Sequence, residues 1–244
     1  MIKAVIFDMY ETLITHYESP LYMGKQIALD MGIAEDKFRE IWNATDEDRT
    51  LGKKTLEEVI AEILRVNHSY SEELFEKIVT KRKLSKIECF QHIHSEILPL
   101  FRTLKALNIK IGLITNCYFE ERDVIRESIL FPYFDVVCMS CELGMKKPDV
   151  KIFENCMKEL EVLPEECIYV GDGGCFELET AKSLGMHSIQ ATWYLKEEVR
   201  QQEKRKPEFL QAKKPLDIIS ELKSDLVDGV EVQKNLLYKL DILI

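Results

Sequence analysis

The chain has 244 residues, 46% hydrophobic and 31% charged, which is typical of a globular protein with one large domain or a domain with an insertion. Its formal net charge of −10 gives no general attraction to nucleic acid or to an anionic membrane surface. The apolar runs are too short to span a membrane, and no cleavable leader is expected because a strand follows Lys3 almost at once. Seven cysteines without a repeating spacing favour reduced thiols in a cytoplasmic protein.

The first predicted element is a buried strand that ends in a carboxylate. Residues 4–7 are apolar, and Asp8 follows them directly. In open α/β sheets ligands bind at the carboxyl ends of the parallel strands, so this position suits an aspartate that performs chemistry. An edge strand followed by a capped turn explains the stretch equally well when it is considered alone.

Residues 16–92 are predicted to form a small helical bundle inserted after this strand. The first predicted helix carries apolar residues from Leu21 to Met31, and the second lies around residues 38–42. A capping box that begins at Thr55 opens the third helix, and the fourth begins near Ser71. Four amphipathic helices with short connections are typical of a bundle.

From residue 95 onward helices and strands alternate. This order predicts a doubly wound parallel sheet, because each pair of parallel strands needs a helical crossover. Residues 1–15 and 93–223 are therefore predicted to form one α/β core, and 224–244 an extension without an assigned role. The predicted strands cover 110–115, 134–139, 167–171 and 187–190, and the predicted helices cover 97–107, 120 onward, 150–160, 176–184, 195–206 and 215–222.

Three later strand ends carry further polar groups. Thr115 and Asn116 follow the second strand, Lys147 lies just before a helix, and Asp172 follows a strand with Glu177 shortly after it. Each group alone fits a helix cap or a surface turn. Their occurrence in this order, all at one edge of a parallel sheet, favours a catalytic site.

The residue types suggest attack by a carboxylate on an electrophile that develops negative charge. Asp8 is placed as the nucleophile. Asp172 and Glu177 offer hard oxygen ligands for Mg²⁺, and the backbone carbonyl of Tyr10 offers another. Mg²⁺ is therefore the expected cofactor.

The remaining polar groups are expected to bind the substrate. Thr115 hydrogen-bonds a phosphoryl oxygen in this interpretation, and Lys147 supplies a positive charge that also keeps Asp8 ionised. Asn116 and Tyr10 are the further candidates for substrate contact.

Four segments resemble, in chain order, the four motifs of the haloacid dehalogenase-like (HAD) hydrolase superfamily: Phe7 to Leu13, Ile114 to Asn116, Gly144 to Asp149 and Val170 to Met186. The resemblance extends to about Leu222. It implies a Rossmann-type core and a helical cap that closes over the active site and selects the substrate. It also implies an aspartyl-phosphate intermediate on Asp8, with Mg²⁺ held by Asp8, the Tyr10 carbonyl and Asp172.

One position departs from the phosphatase pattern of that superfamily. Most of its phosphatases carry a second aspartate two residues after the nucleophile, where it acts as acid and base, but this chain has Tyr10 there. A phenol with an ordinary pKa of about 10 is a poor substitute at neutral pH. Glu11 is adjacent and acidic, but its side chain is expected to point elsewhere.

Tyr10 is similar to the tyrosine of the 2-haloacid dehalogenases, which displace halide without a metal. Asp172 argues against this alternative, because it would repel a carboxylate substrate unless a cation lay between them. The sequence therefore favours a Mg²⁺-dependent phosphatase that acts on a small phosphorylated metabolite. A haloacid dehalogenase is the alternative, and a protein that binds a phosphorylated ligand with little turnover is the third hypothesis.

The predicted bundle offers further candidates for substrate contact. Arg49 and Lys53 flank Gly52 between predicted helices, and they are interpreted either as substrate contacts or as solvated charges. His16 follows the first motif and is placed near the cleft between bundle and core.

Overall fold

A computed structural model describes residues 1–20, 22–196 and 204–227. The fold of these residues is built on a parallel sheet. Within these residues the sheet has six strands in the order β3-β2-β1-β4-β5-β6. All five strand pairs are parallel, which confirms the predicted doubly wound α/β architecture. The strands are Ala4–Phe7 (β1), Lys110–Thr115 (β2), Val136–Met139 (β3), Cys167–Gly171 (β4), His187–Ala191 (β5) and Leu210–Ala212 (β6).

The helices fall into a group that follows β1 and a group that alternates with the later strands. The first group comprises Gly24–Met31 (α1), Glu35–Ala44 (α2), Asp46–Thr50 (α3), Leu56–Val66 (α4) and Glu72–Cys89 (α5). The second group comprises Ile97–Ala106 (α6), Phe119–Glu127 (α7), Ser140–Leu143 (α8), Val150–Leu160 (α9), Glu177–Ser183 (α10) and Asp217–Val227 (α11).

The central strand β1 is apolar throughout because helices cover both faces of the sheet. Val5 and Phe7 join an apolar cluster with residues of α6 and α11, whereas Ala4 and Ile6 join a second cluster with residues of α9 and α10. All four side chains are fully buried. A strand buried on both faces loses the usual alternation of apolar and polar residues.

Helices α1 to α5 form a bundle with an apolar core of its own. Phe38, Ile60 and Ile78 are fully buried in this third cluster. The predicted capping box is present at the start of α4, where the Thr55 hydroxyl accepts from the Glu58 amide and the Glu58 carboxylate accepts from the Thr55 amide. The bundle lies against the second group of helices through α5, which packs on α7, and α3, which packs on α8.

Several predicted elements differ from those in the structure. The bundle contains α3 in addition to the four predicted helices, because the charged run Asp46–Thr50 shows no apolar period. The short elements α8 and β6 were not predicted either. Leu195, Lys196 and residues 204–206 of the predicted helix 195–206 are not helical.

Some predictions fall wholly or partly on residues that the structure does not describe. Leu21 lies outside the described residues, and the first helix begins at Gly24. Residues 197–203 and 228–244 are also outside them, and the predicted last helix is found as α11. None of the described helices combines the length and the apolar character that a membrane crossing requires.

Candidate active site

The register of the sheet brings the predicted strand ends together. Phe7 pairs with Leu113 of β2 and with Val170 of β4, so Asp8 follows β1 at the edge where these strands end. The Asp8 amide donates to the Val170 carbonyl oxygen at 2.9 Å, which continues the sheet by one more bond. Asp8 therefore lies beside the ends of both neighbouring strands.

Lys147 connects two of the predicted carboxylates. Its Nζ lies 2.5 Å from Asp8 Oδ1 and 2.5 Å from Glu177 Oε2, and its side chain is only 4% exposed. Asn116 holds the backbone of Lys147 in place, because its Oδ1 accepts from the Lys147 amide at 2.8 Å and its Nδ2 donates to the Lys147 carbonyl at 3.0 Å. Asn116 thus positions Lys147, and its predicted contact with substrate stays a prediction.

Glu177 is fixed by three donors. Its Oε2 accepts from Lys147 and from the Tyr169 hydroxyl at 2.9 Å, and its Oε1 accepts from the Gly173 amide at 3.1 Å. A Cβ at Gly171 would collide with the same carboxylate, so this strand end needs glycine. Tyr169 was not predicted as a site residue, although it is a hydroxyl-bearing residue within a strand of otherwise apolar character.

Asp172 completes what we call the strand-end cluster, which consists of Asp8, Lys147, Asp172 and Glu177. Its Oδ1 accepts from the Gly174 amide at 2.9 Å. Asp8, Asp172 and Glu177 each offer an oxygen, and these oxygens lie within 4.8 Å of one another. Carboxylate oxygens are the ligands that Mg²⁺ prefers in proteins.

The strand-end cluster contains three carboxyl groups and one ammonium group, and burial disfavours the ionised form of two of the carboxyl groups. Burial raises the pKa of Asp8 to about 7, even though Lys147 acts in the opposite direction. Burial also raises the pKa of Asp172, and the neighbouring charges of Glu177 and Asp8 raise it further. Although burial lowers the pKa of Lys147, the charges of Asp8 and Glu177 outweigh this effect and raise it. Three carboxylates thus share one ammonium, and a divalent cation would offset the remainder.

Thr115 lies at the end of β2 with its side chain fully buried. Its hydroxyl has no hydrogen-bond partner. A buried hydroxyl of this kind fits an oxygen of a bound ligand, because most buried polar groups in proteins are paired. Thr12 approaches Asp8 more weakly, with its hydroxyl 3.5 Å from Asp8 Oδ2.

Tyr10 and Glu11 take different directions from the end of β1. The Tyr10 ring stacks on His16 at a centroid distance of 4.5 Å, and its hydroxyl is buried without a partner. The Glu11 carboxylate accepts from the Thr15 hydroxyl at 2.6 Å and from the His16 amide at 2.8 Å. These bonds hold the Glu11 side chain within its own loop, in a direction different from that of Tyr10, as expected.

A second group of charges lies where α5 of the bundle packs on α7, the helix that follows β2, and the sequence analysis did not find it. We call Arg82, Lys86, Glu120 and Glu121 the bundle–sheet cluster. Lys86 Nζ lies 2.5 Å from Glu121 Oε1, and Arg82 Nε lies 3.6 Å from Glu120 Oε1. Lys86 Nζ also lies 3.0 Å from Nε2 of His16, and His16, Arg82 and Lys86 line one small cavity. The available signal was the spacing of Arg82 and Lys86, one turn apart on a helix.

The two positive residues beside Gly52 have different environments. Arg49 is fully buried, and its guanidinium carbon lies 3.8 Å from the centre of the Trp42 ring and 4.3 Å from that of Tyr118. Lys53 is 64% exposed and pairs with Asp48 at 3.7 Å. Gly52 lies directly against the Cys141 carbonyl, where a Cβ would collide.

Comparisons with known proteins agree with this architecture. The chain is 26% identical over 202 residues to a protein of Methanocaldococcus jannaschii named glyceraldehyde 3-phosphate phosphatase, covering 78% of this chain and 85% of that protein. A HAD phosphatase from Thermococcus onnurineus superimposes with a TM-score of 0.61 at 19% identity, over 91% of this chain and 98% of that one. A 2-haloacid dehalogenase from Pseudomonas syringae gives 0.64 at 20% identity, over 92% and 99% of the two chains.

The two structural matches show a shared fold, and the family assignment comes from the sequence. The family described as haloacid dehalogenase-like hydrolase matches residues 2–185, a range that includes all four residues of the strand-end cluster. That range covers most of the chain. The protein therefore belongs to the haloacid dehalogenase-like hydrolases.

Proposed function

We propose that this hydrolase is a Mg²⁺-dependent phosphatase that acts on a small phosphorylated metabolite. The observation that carries the proposal is the strand-end cluster, in which a buried aspartate is held by a lysine beside a second aspartate. Membership of the hydrolase family and the phosphatase names of relatives, such as that of Methanocaldococcus jannaschii, support it. The assignment of each residue below is part of the proposal.

Asp8 acts as the nucleophile. A carboxylate oxygen of Asp8 forms a bond to phosphorus while the bond between phosphorus and the leaving-group oxygen breaks, which gives an aspartyl phosphate. Water then hydrolyses this intermediate and releases phosphate. Lys147 opposes the effect of burial and so favours the ionised form of Asp8, and it offsets charge on the phosphoryl oxygens. The unpaired Thr115 hydroxyl donates to one of these oxygens.

The acidic groups fit a divalent cation. Asp8, Asp172 and the Tyr10 carbonyl would hold Mg²⁺, which neutralises charge on the phosphoryl group when bound. Glu177 was predicted as a further ligand and belongs to the group of oxygens within 4.8 Å. The Glu177 carboxylate also accepts three hydrogen bonds, one of them from Lys147. We therefore propose that Glu177 positions Lys147 as well as lying beside the metal ion.

The helical bundle is the cap in this proposal. Residues 16–92 form the cap domain, residues 1–15 and 93–223 form the catalytic core, and residues 224–244 form an extension to which we assign no role. The packing of α5 on α7 brings the bundle against the core. We place the protein in the cytoplasm, which the free thiols of all seven cysteines support.

Tyr10 favours haloacid dehalogenation as a second candidate. Halide leaves without a proton, so this reaction needs no acid at position 10. Asp172 opposes this candidate, because it is only partly exposed, lies close to Asp8 and would repel a carboxylate substrate. Phosphatase chemistry uses Asp172, and we therefore prefer it.

The test is phosphate release from a panel of small phosphomonoesters, with and without Mg²⁺, by the wild type, Asp8→Asn and Asp123→Asn. Asp123 is an exposed aspartate that pairs with its neighbour Arg122, so its variant controls for the loss of one charge. We expect Mg²⁺-dependent turnover that falls by about 10³-fold or more in Asp8→Asn and is retained in Asp123→Asn.

Two other results would contradict the proposal. Chloride release from 2-chloropropionate without metal, in the absence of phosphate release, would favour the dehalogenase. Binding of inorganic phosphate without turnover in either assay would favour a protein that binds a phosphorylated ligand.

A further inference from the structure

The buried polar atoms that lack a partner are concentrated in one region. Among the described residues eight such side-chain atoms occur, and seven of them belong to Tyr10, Arg49, Arg82, Thr115 and Glu120. The eighth belongs to Glu179 on another helix. Because buried polar atoms in proteins are nearly always paired, this concentration points to a ligand.

Several of these residues lie close to one small cavity. Arg82 and Lys86 line it together with His16, on which the Tyr10 ring stacks, and Lys86 Nζ lies 5.5 Å from the centre of that ring. Tyr10 and Thr115 lie at the ends of β1 and β2, Arg82 lies on α5, and Glu120 lies in the first turn of α7. The side chains of Arg82 and Glu120 are 5% and 1% exposed. A phosphoryl group at Thr115 would therefore leave its organic part facing Tyr10 and the bundle–sheet cluster.

Arg82 and Glu120 form an open pair. Arg82 Nη1 donates to the Tyr22 carbonyl at 3.0 Å, which anchors the guanidinium, but its Nε lies 3.6 Å from Glu120 Oε1 and donates to nothing. Both oxygens of Glu120 lack a donor. This pair thus presents one free donor beside two free acceptor oxygens, and the Tyr10 hydroxyl can act as either.

The formal charges of this cluster cancel. Arg82 and Lys86 face Glu120 and Glu121, at distances of 3.6 Å for the first pair and 2.5 Å for the second. A ligand with an additional carboxylate, phosphate or ammonium would meet charges of both signs, and one of them would repel it. A hydroxyl can accept from Arg82 Nε and donate to Glu120 at the same time without adding charge.

We propose that Arg82, Glu120 and Tyr10 form a subsite for the leaving group of the phosphomonoester, and that this leaving group is a small uncharged polyol or sugar. The inference rests on the proposed phosphatase function. It adds that the enzyme distinguishes its substrate by hydroxyl groups near the phosphate and rejects phosphates with a second charged group.

Three substrates of matched length test the inference: glycerol 3-phosphate, propyl phosphate, which lacks the hydroxyls, and 3-phosphoglycerate, which carries a carboxylate. The measured quantity is kcat/KM with Mg²⁺ for the wild type, Glu120→Gln and Glu127→Gln. Glu127 lies at the exposed end of the same helix, so its variant removes an equal charge outside the cleft. A melting curve of each variant verifies that it is folded.

We expect the wild type to prefer glycerol 3-phosphate over each of the other two by about tenfold or more. Glu120→Gln should reduce the preference over propyl phosphate severalfold, and Glu127→Gln should retain it. Arg82→Lys, which keeps the charge but removes the Nε–H, should also reduce it. If Glu120→Gln fails to fold, Arg82→Lys alone decides the comparison.

The outcomes separate this inference from the function on which it rests. Turnover of all three substrates with similar kcat/KM, a preference for 3-phosphoglycerate, or an unchanged preference in Glu120→Gln and Arg82→Lys would overturn the subsite and leave the phosphatase standing. If the enzyme turns over none of the three substrates and no aryl phosphate either, both the subsite and the phosphatase function are overturned.

Discussion

The strand-end cluster and the bundle–sheet cluster both bury charges of two signs, but they differ in how completely the protein pairs them. Glu177 accepts three hydrogen bonds, and Lys147 joins it to Asp8. Glu120 accepts none, and the nearest nitrogen of Arg82 stays 3.6 Å away. The first cluster is organised by the chain itself, whereas the second is left to be completed by a ligand.

The two clusters also differ in net charge. Three carboxylates share one ammonium at the strand ends, whereas two carboxylates face two cations between bundle and sheet. An excess of negative charge suits a metal ion, and a balanced cluster suits an uncharged group. In the proposed function, this contrast favours phosphoryl chemistry at the strand-end cluster and recognition of the leaving group at the bundle–sheet cluster.

Replacing Lys147 with Met should break the first cluster and has the largest expected effect. The change leaves Asp8 and Glu177 buried without their shared counter-charge, which costs about 3–5 kcal/mol of unfolding free energy. Phosphatase activity should fall by about 10²- to 10³-fold, because a positive group at the reacting phosphate is lost. Urea unfolding and phosphate release measure the two effects.

The neighbouring residue provides the control for that variant. Lys146 is 33% exposed and pairs with Glu47 at 3.9 Å, so Lys146→Met should cost less than about 1 kcal/mol. Equal losses in the two variants would contradict the description of Lys147 as the centre of the cluster.

Replacing Lys86 with Met should destabilise the second cluster. Glu121 would lose its partner at 2.5 Å while staying buried, at a cost of about 3–5 kcal/mol. The double variant Lys86→Met with Glu121→Met should recover part of this loss, since it leaves no unpaired charge. A double variant as unstable as the sum of the two single variants would show that the pair is not coupled.

The pH dependence of the unfolding free energy should reveal the lowered pKa of Glu121. Burial alone raises the pKa of this carboxyl, but the charges of Lys86 and Arg82 outweigh burial and lower the pKa to about 2 from 4.5. A depressed folded-state pKa gives stability that is complete above the unfolded value and is lost as the pH falls toward the folded value. This contribution is on the order of 3 kcal/mol.

Urea unfolding at about pH 6 and about pH 3 tests this expectation. Between these two pH values the unfolding free energy of Glu121→Gln should fall less than that of the wild type. The glutamine side chain can still accept from the Tyr118 amide, as Glu121 does. Glu127→Gln, exposed on the same helix, should behave as the wild type does. An equal decline in wild type and Glu121→Gln would show that the carboxyl is not held ionised.

Replacing Tyr169 with Phe should give the smallest change. Glu177 Oε2 would lose one of its two side-chain donors, at 2.9 Å, and keep Lys147. We expect a loss of about 1.5 kcal/mol, the value for a hydrogen bond to a charged group, measured by urea unfolding. No loss would mean that Lys147 alone positions Glu177.

Much of the strand-end cluster was predictable because its residues follow apolar strands directly. Asp8, Thr115 and Asp172 each mark the point where a run of apolar residues stops, and the parallel sheet brings such points to one edge. Tyr169 was missed because nothing in a strand pattern tells which buried hydroxyl will reach a carboxylate eight residues later.

The bundle–sheet cluster was not predictable in the same way. In the sequence, Arg82 and Lys86 resemble the solvent-facing residues of an amphipathic helix. Glu120 and Glu121 resemble the acidic residues that are common in the first turn of a helix. Their burial depends on how α5 packs on α7, which is a contact between elements that are far apart in the chain. Periodicity predicts which face of a helix is apolar, but it does not predict which polar residues a second element will cover.

Mass spectrometry of the peptide that contains Asp8, after rapid acid quenching of the enzyme with a phosphomonoester and Mg²⁺, tests the central claim most directly. The wild type should carry one added phosphoryl group on Asp8. This species should accumulate, because Tyr10 stands where a carboxylate would speed the attack of water on it. Asp8→Asn should carry none. Phosphate release without this labelling, or with the phosphoryl group on another residue, would contradict the assignment of Asp8 as the nucleophile.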